Sequence, residues 1–121
     1  MTTHHPRIIK IDDIRQAKQA IKQLGCDPQS IPIMAPKMIH HVIQLDHVTL
    51  QDAIIIKQDM LSIGGEVCVP RHTFNLEGDP ISILISGTLQ QFILLIEKLH
   101  RHYPRIKRIS EEIDQFIQPL I

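Results

Sequence analysis

The chain has 121 residues, 43% of them apolar, which is enough for one domain with a real core. Its 13 basic and 13 acidic residues cancel, so no net field favours nucleic acid or an anionic membrane surface. No apolar run is long enough to span a bilayer, and Met1-Thr2-Thr3-His4-His5-Pro6 lacks the apolar stretch of a signal peptide. The expectation is a cytoplasmic protein: residues 1–6 a disordered tail, residues 7–121 a single α/β domain. Without a secretion signal, Cys26 and Cys68 are expected to be reduced, packed thiols rather than a disulfide.

Residues 7–11, Arg-Ile-Ile-Lys-Ile, read as a short strand. Asp12 or Asp13 then caps a helix through about Leu24, with Ile14, Ala17, Ile21 and Leu24 on one face and Gly25 as its stop. Asp27-Pro28 starts a short or irregular helix, since Pro32 and Pro36 each remove a backbone donor. Residues 39–46 form a strand with imperfect alternation. Thr49 caps a long helix over 50–63, which Gly64 ends in a left-handed conformation. On that helix Ile54, Met60 and Leu61 are predicted to be buried and Lys57 exposed.

A strand at 66–70 closes at Pro70, and a polar loop leads to a strand at 81–86. Gly87-Thr88 opens a helix through about His102, with Leu89, Phe92, Ile93, Ile96 and Leu99 on its apolar side. Pro104 interrupts it, and Ser110 begins a last amphipathic helix with Ile113, Phe116, Ile117 and Leu120. Strands joined by helices imply parallel pairing through right-handed crossovers. The predicted class is therefore α/β (or α+β): one mixed sheet of about four strands, packed with three long helices and a C-terminal helix.

Several pieces carry a family resemblance in their order and spacing. They are Gly25-Cys26-Asp27-Pro28, Ile33-Met34-Ala35-Pro36-Lys37, the run from Ile56 through Gly64-Gly65-Glu66, Gly87-Thr88-Leu89, and Leu95-Ile96-Glu97-Lys98-Leu99. Together they resemble the N-terminal extension of long dihydropteroate synthases, enzymes of folate biosynthesis, and the resemblance spans about residues 8–118. That family joins para-aminobenzoate to a dihydropterin pyrophosphate, normally in a TIM barrel with Mg²⁺. Such a barrel needs about 250 residues, so none fits in this chain. The family's barrel-start signature, Asn-Val-Thr-Pro-Asp-Ser-Phe, does not occur. The resemblance thus implies an accessory domain with no catalytic residue and no cofactor of its own. Its expected partner is a synthase barrel or a second, self-associating protomer.

Other constellations are weaker. Eight histidines invite a metal, but His40 and His41 point to opposite faces of a strand, and His100 and His102 diverge at a helix end. No metal site is expected. The run His100-Arg101-His102-Tyr103-Pro104-Arg105-Ile106-Lys107-Arg108 is a local basic patch with one ring for stacking, in a chain whose charge otherwise argues against nucleic acid. Lys37, Arg71 and the helix start at Thr88 form a candidate anion site, since a helix N-terminus with a nearby cation suits phosphate. The alternative function is therefore a small domain binding a phosphorylated or pterin-like metabolite.

Overall fold

The computed structural model describes residues 3–121; the tail expected over residues 1–6 lies partly outside them. Helix α1, Ile14–Gln23, starts where the Asp13 carboxylate accepts from the Gln16 amide at 2.8 Å, and it buries Ala17 and Ile21. The prolines then allow only a single helical turn, α2 at Ile31–Met34, and a 3₁₀ turn at Ala35–Lys37. Strand β1, His40–Val48, leads through the Thr49 cap into α3, Leu50–Ile63. Gly64 ends α3 at φ 105, a left-handed conformation that favours glycine.

Strand β2, Glu66–Cys68, follows at once, and a loop with a 3₁₀ turn at Thr73–Asn75 connects it to β3, Ile81–Thr88. Thr88 begins α4, Leu89–His100, through a capping box. Its hydroxyl accepts from the Gln91 amide, and the Gln91 side chain accepts from the Thr88 amide. Helix α5, Pro104–Ile117, completes the five helices. Pro104 does not merely interrupt a helix. It occupies the first turn of α5, where a missing N–H costs nothing, so α5 starts six residues before the expected Ser110.

The α/β class holds, and among the described residues the sheet has three strands, close to the expected number of about four. The order is β1-β3-β2 and both pairings are antiparallel, so the expected parallel pairing does not occur. The crossover through α3 does leave β1 and β2 pointing the same way, but β3 inserts between them. Ile81, Ile83 and Ile85 make β3 the most apolar strand, and the central position buries such a strand best. β1-α3-β2-β3-α4 is thus the greater part of a split βαβ arrangement.

Among the described residues, 7–11 join no ladder; residues 7–10 are exposed, Ile8 at 96%, and Ile11 is half-buried against the core. They run beside α1 instead of entering the sheet, with Arg7, Ile9 and Ile11 facing Ala20, Ile21, Leu24 and Met38 across a groove. One sheet face is covered and the other is bare. Ile81, Ile83, Ile85, Val67 and Val48 join Ile56, Met60, Phe92, Leu95, Leu99, Ile106, Ile113 and Ile117 in one core. Val42, Gln44, Ser82, Leu84, Glu66 and Cys68 lie exposed on the other side. Cys68 is therefore an open thiol and not a packed one, while Cys26 is half-buried against the core; both are free.

The facing of α3 is partly corrected. Met60 is fully buried and Ile54 half-buried, but Leu61 is 47% exposed. Lys57, expected in solvent, is half-buried, donating to the Val67 carbonyl at 2.6 Å and to Glu66 at 3.1 Å. Three consecutive isoleucines, Ile54, Ile55 and Ile56, blur the helical period. Glycines beside the helix make room for that face: a Cβ on Gly65, just before β2, would lie 2.6 Å from the Met60 methyl and 2.8 Å from the Ser86 carbonyl oxygen. Gly65→Ala should cost about 1–3 kcal/mol by overpacking, because a backbone carbonyl cannot swing aside as a side chain can. Met60→Ala should cost about 2–5 kcal/mol, while Leu61→Ala should stay within about 0.5 kcal/mol. Urea denaturation of the three variants checks this ranking.

Candidate functional site

The densest polar chemistry lies where α3 meets the turn between α4 and α5. Asp52 sits in the first turn of α3 and is only 1% exposed, the single charged residue among the described buried ones. Its own amide donates to the Thr49 hydroxyl. The Tyr103 hydroxyl donates to Asp52 Oδ1 in a short hydrogen bond. Arg105 donates through Nε to Oδ2 at 2.5 Å and through Nη2 to Oδ1 at 2.8 Å. The guanidinium also lies 5.2 Å from the Tyr103 ring centroid. One α3 carboxylate thereby holds both residues that flank Pro104, at the start of α5.

Two helical turns later, Asp59 Oδ2 lies 2.8 Å from His102 Nε2. Positions 52 and 59 share a helix face, so the two carboxylates grip the α4–α5 turn at successive points. Next to them Lys98 donates to the Ser62 hydroxyl at 2.6 Å, and that hydroxyl donates to the Asp59 carbonyl. Farther along α5, His100 Nδ1 lies 3.3 Å from the Ser110 hydroxyl, which donates back to the Lys107 carbonyl.

Burial pushes the Asp52 carboxyl up, but the Arg105 and Tyr103 hydrogen bonds and the Arg105 charge outweigh it, so its pKa falls below the ordinary value. Burial and the neighbouring carboxylate push the Tyr103 hydroxyl up, which keeps it a donor. Both Asp52 oxygens are engaged and the side chain is 1% exposed, so the carboxylate is not open to a substrate. The arrangement acts as a clamp: it ties α3 to the start of α5 and keeps a buried carboxylate ionised through protein donors.

The basic patch read from the sequence is largely this clamp. His102 and Arg105 are engaged by α3, and Tyr103 by Asp52, which leaves Arg101, Lys107 and Arg108 to solvent. Pairing sequence positions 52 and 105 required the fold. The local hint was an acid interrupting an apolar helix: Asp52 precedes Ala53-Ile54-Ile55-Ile56.

Lys37 is exposed at the end of its 3₁₀ turn, two residues before Ile39, whose carbonyl accepts from the Leu89 amide at the α4 start. That places Lys37 and Thr88 at one end of the sheet. Cys68 lies opposite Leu84, and the chain leaves β2 heading away from Thr88, so Arg71 is carried toward the other end. The Thr88 amide is already taken by Gln91 at 2.8 Å. His40 and His41 face opposite ways, as the strand requires: His40 is exposed, 3.1 Å from the Ser86 hydroxyl, and His41 is half-buried. Among the described residues no three His, Cys, Asp or Glu side chains gather to hold a metal.

Because the Asp52 pKa is depressed in the folded chain, its contribution to stability is complete above the unfolded carboxyl value. That contribution should be lost as pH falls below about 4 toward the folded pKa. Asp46, which accepts from Ser82 and Gln44, and Glu66, which accepts from the Val67 amide and Lys57, are shifted the same way. Asp52→Asn should therefore flatten the acid limb of a stability–pH curve without abolishing it. Arg105→Ala should destabilise the chain at neutral pH, because it leaves the buried Asp52 carboxylate with only the Tyr103 hydroxyl as a side-chain donor. Urea melts at a series of pH values read both effects.

No family model matches this sequence, and no solved structure matches it. Over 101 residues it is 23% identical to the bifunctional dihydropteroate synthase/dihydropteroate reductase of Helicobacter pylori. The aligned stretch covers 84% of this chain and 27% of that protein. The chain thus spans about a quarter of the length of this curated relative, to which it is distantly similar along most of its own length.

Proposed function

We propose that this chain is a non-catalytic accessory domain related to dihydropteroate synthase, working in folate biosynthesis beside a catalytic barrel. The observation that carries this reading is the shape of the match: 84% of this chain aligns with only 27% of the folate enzyme. The internal chemistry fits the same role. The one buried carboxylate among the described residues is spent on joining helices, and no buried side-chain polar atom among those residues lacks a partner. Groups committed in this way hold a shape for a partner rather than transfer protons. A cytoplasmic location goes with this reading; among the described residues no helix is long and apolar enough to cross a membrane. A competing reading, a domain for a phosphorylated or pterin-like metabolite, draws on Lys37 lying near the α4 start. There Gln91 must first release the Thr88 amide.

The isolated chain, given dihydropterin pyrophosphate, para-aminobenzoate and Mg²⁺, should show no turnover above a heat-killed control. Activity that survives removal of host enzyme would overturn the non-catalytic assignment. Titrated with the synthase barrel from the same organism, the chain should form a complex by calorimetry. Heat from a pterin phosphate alone, with none from the barrel, would favour the metabolite reading instead.

A further inference from the structure

The two edges of the sheet are finished differently. At the β2 edge only Glu66–Cys68 can pair, and Lys57 already holds the Val67 carbonyl at 2.6 Å while pairing with Glu66. A short edge closed by a lysine is protected against adding another strand. β1 is nine residues long and, among the described residues, its ladder runs to β3 alone. Every second residue of an edge strand turns its N–H and C=O outward. Beside β1 runs a groove lined by Val42, Ile43 and Leu45 and, from α5, by Glu112, Ile113 and Phe116. Phe116 is 63% exposed and Val42 58%. This edge is long, carries Val42, Ile43, Leu45 and Val48 among polar residues, and its one irregularity is the shift near His47, at the far end of the strand.

The chain carries a segment suited to that edge. Residues 7–11 are rich in β-branched side chains, and their backbone groups take part in no ladder. Alternation puts Ile9 and Ile11 on one side of this segment and Ile8 and Lys10 on the other. Its charges are basic: Arg7 donates only to the His5 carbonyl, and Lys10 meets Asp12 loosely at 3.9 Å, both in solvent. The groove beside β1 offers the complement, largely apolar walls with Glu112 at the rim. Within one copy these residues lie along α1 and away from the sheet ladder.

We propose that two copies of this chain form a symmetric dimer in which residues 7–11 of each copy add as a strand to the outer edge of β1 in the other. Ile9 and Ile11 then enter the groove beside Ile43, Leu45 and Phe116, and Arg7 approaches Glu112. The exchange is reciprocal, so the assembly closes at two copies. It uses surfaces that the accessory reading leaves free.

The test is the oligomeric state of the full chain by sedimentation equilibrium, for wild type, Ile8→Pro and Ile9→Pro. Both positions are exposed and outside the core, so circular dichroism should match wild type in each variant. A proline removes one N–H, and only alternate N–H groups face a partner strand. The expected result is a wild-type dimer whose dissociation constant rises about tenfold or more for one of the two variants and far less for the other. Phe116→Lys should weaken the dimer as well. A monomeric wild type, a dimer indifferent to both prolines, or equal weakening by both would overturn the proposal. So would concentration-independent hydrogen-exchange protection of residues 8–11, which would mean pairing within one copy.

Discussion

Asp52 is a charge held out of water, and much of the helical layer is arranged around keeping it ionised. Moving an isolated carboxylate into a protein interior costs several kcal/mol, so the site stands only if its partners arrive in the right geometry. Arg105 supplies a bidentate fork and Tyr103 a third donor, and both flank the proline that begins α5. The consequence is geometric. α5 must start where its first turn reaches α3, and the α4–α5 turn must bring His102 to Asp59. Buried Ile106, Ile113 and Ile117 then follow along α5 into the core.

That clamp completes a layer which covers one face of the sheet. A second constraint sets how closely it sits. Gly65 and Gly87 have no side chains where the Met60 methyl passes, so the end of α3 lies against the β3 backbone at a distance no Cβ would permit. Bulk on one helix residue is matched by its absence on two glycines, one just before β2 and one in β3. Polar cost is handled locally, by capping boxes and side chains that return to nearby carbonyls. What remains at the surface is uneven: a bare sheet face, one edge closed by Lys57, and one long edge beside a largely apolar groove. Uneven exposure of this kind marks where a small protein meets other chains.

Much of the local structure was legible in the sequence because its signals act over three or four residues. Asp13, Thr49 and Thr88 cap helices through their own side chains and Gly64 takes the left-handed stop, whereas Asp27-Pro28 opens only a turn and α2 begins later, at Ile31. The resemblance to folate enzymes was also legible, since it rests on the order and spacing of short motifs. Of the candidate site, Lys37, Arg71 and Thr88 were identifiable as loop or cap residues, but their mutual placement was not. It depends on the register of β2 and β3, which no local pattern encodes.

By itself, the sequence determined where most helices are capped, as at Asp13, Thr49, Gly64 and Thr88, and that helices alternate with strands, while the start of α5 at Pro104 escaped it. Tertiary structure alone decided which strands touch. β3 inserts between β1 and β2 because both of its neighbours gain by burying against it, a comparison that exists only once all three are present. It also decided the fate of residues 7–11, whose strand-like composition finds no ladder within one copy. The facing of α3 was decided there too, because Ile54, Ile55 and Ile56 satisfy several faces and the bare backbone at Gly65 and Gly87 admits Met60. Asp52 shows the same limit most plainly: an acid within an apolar helix becomes a structural charge only when a chain segment some fifty residues later delivers Arg105.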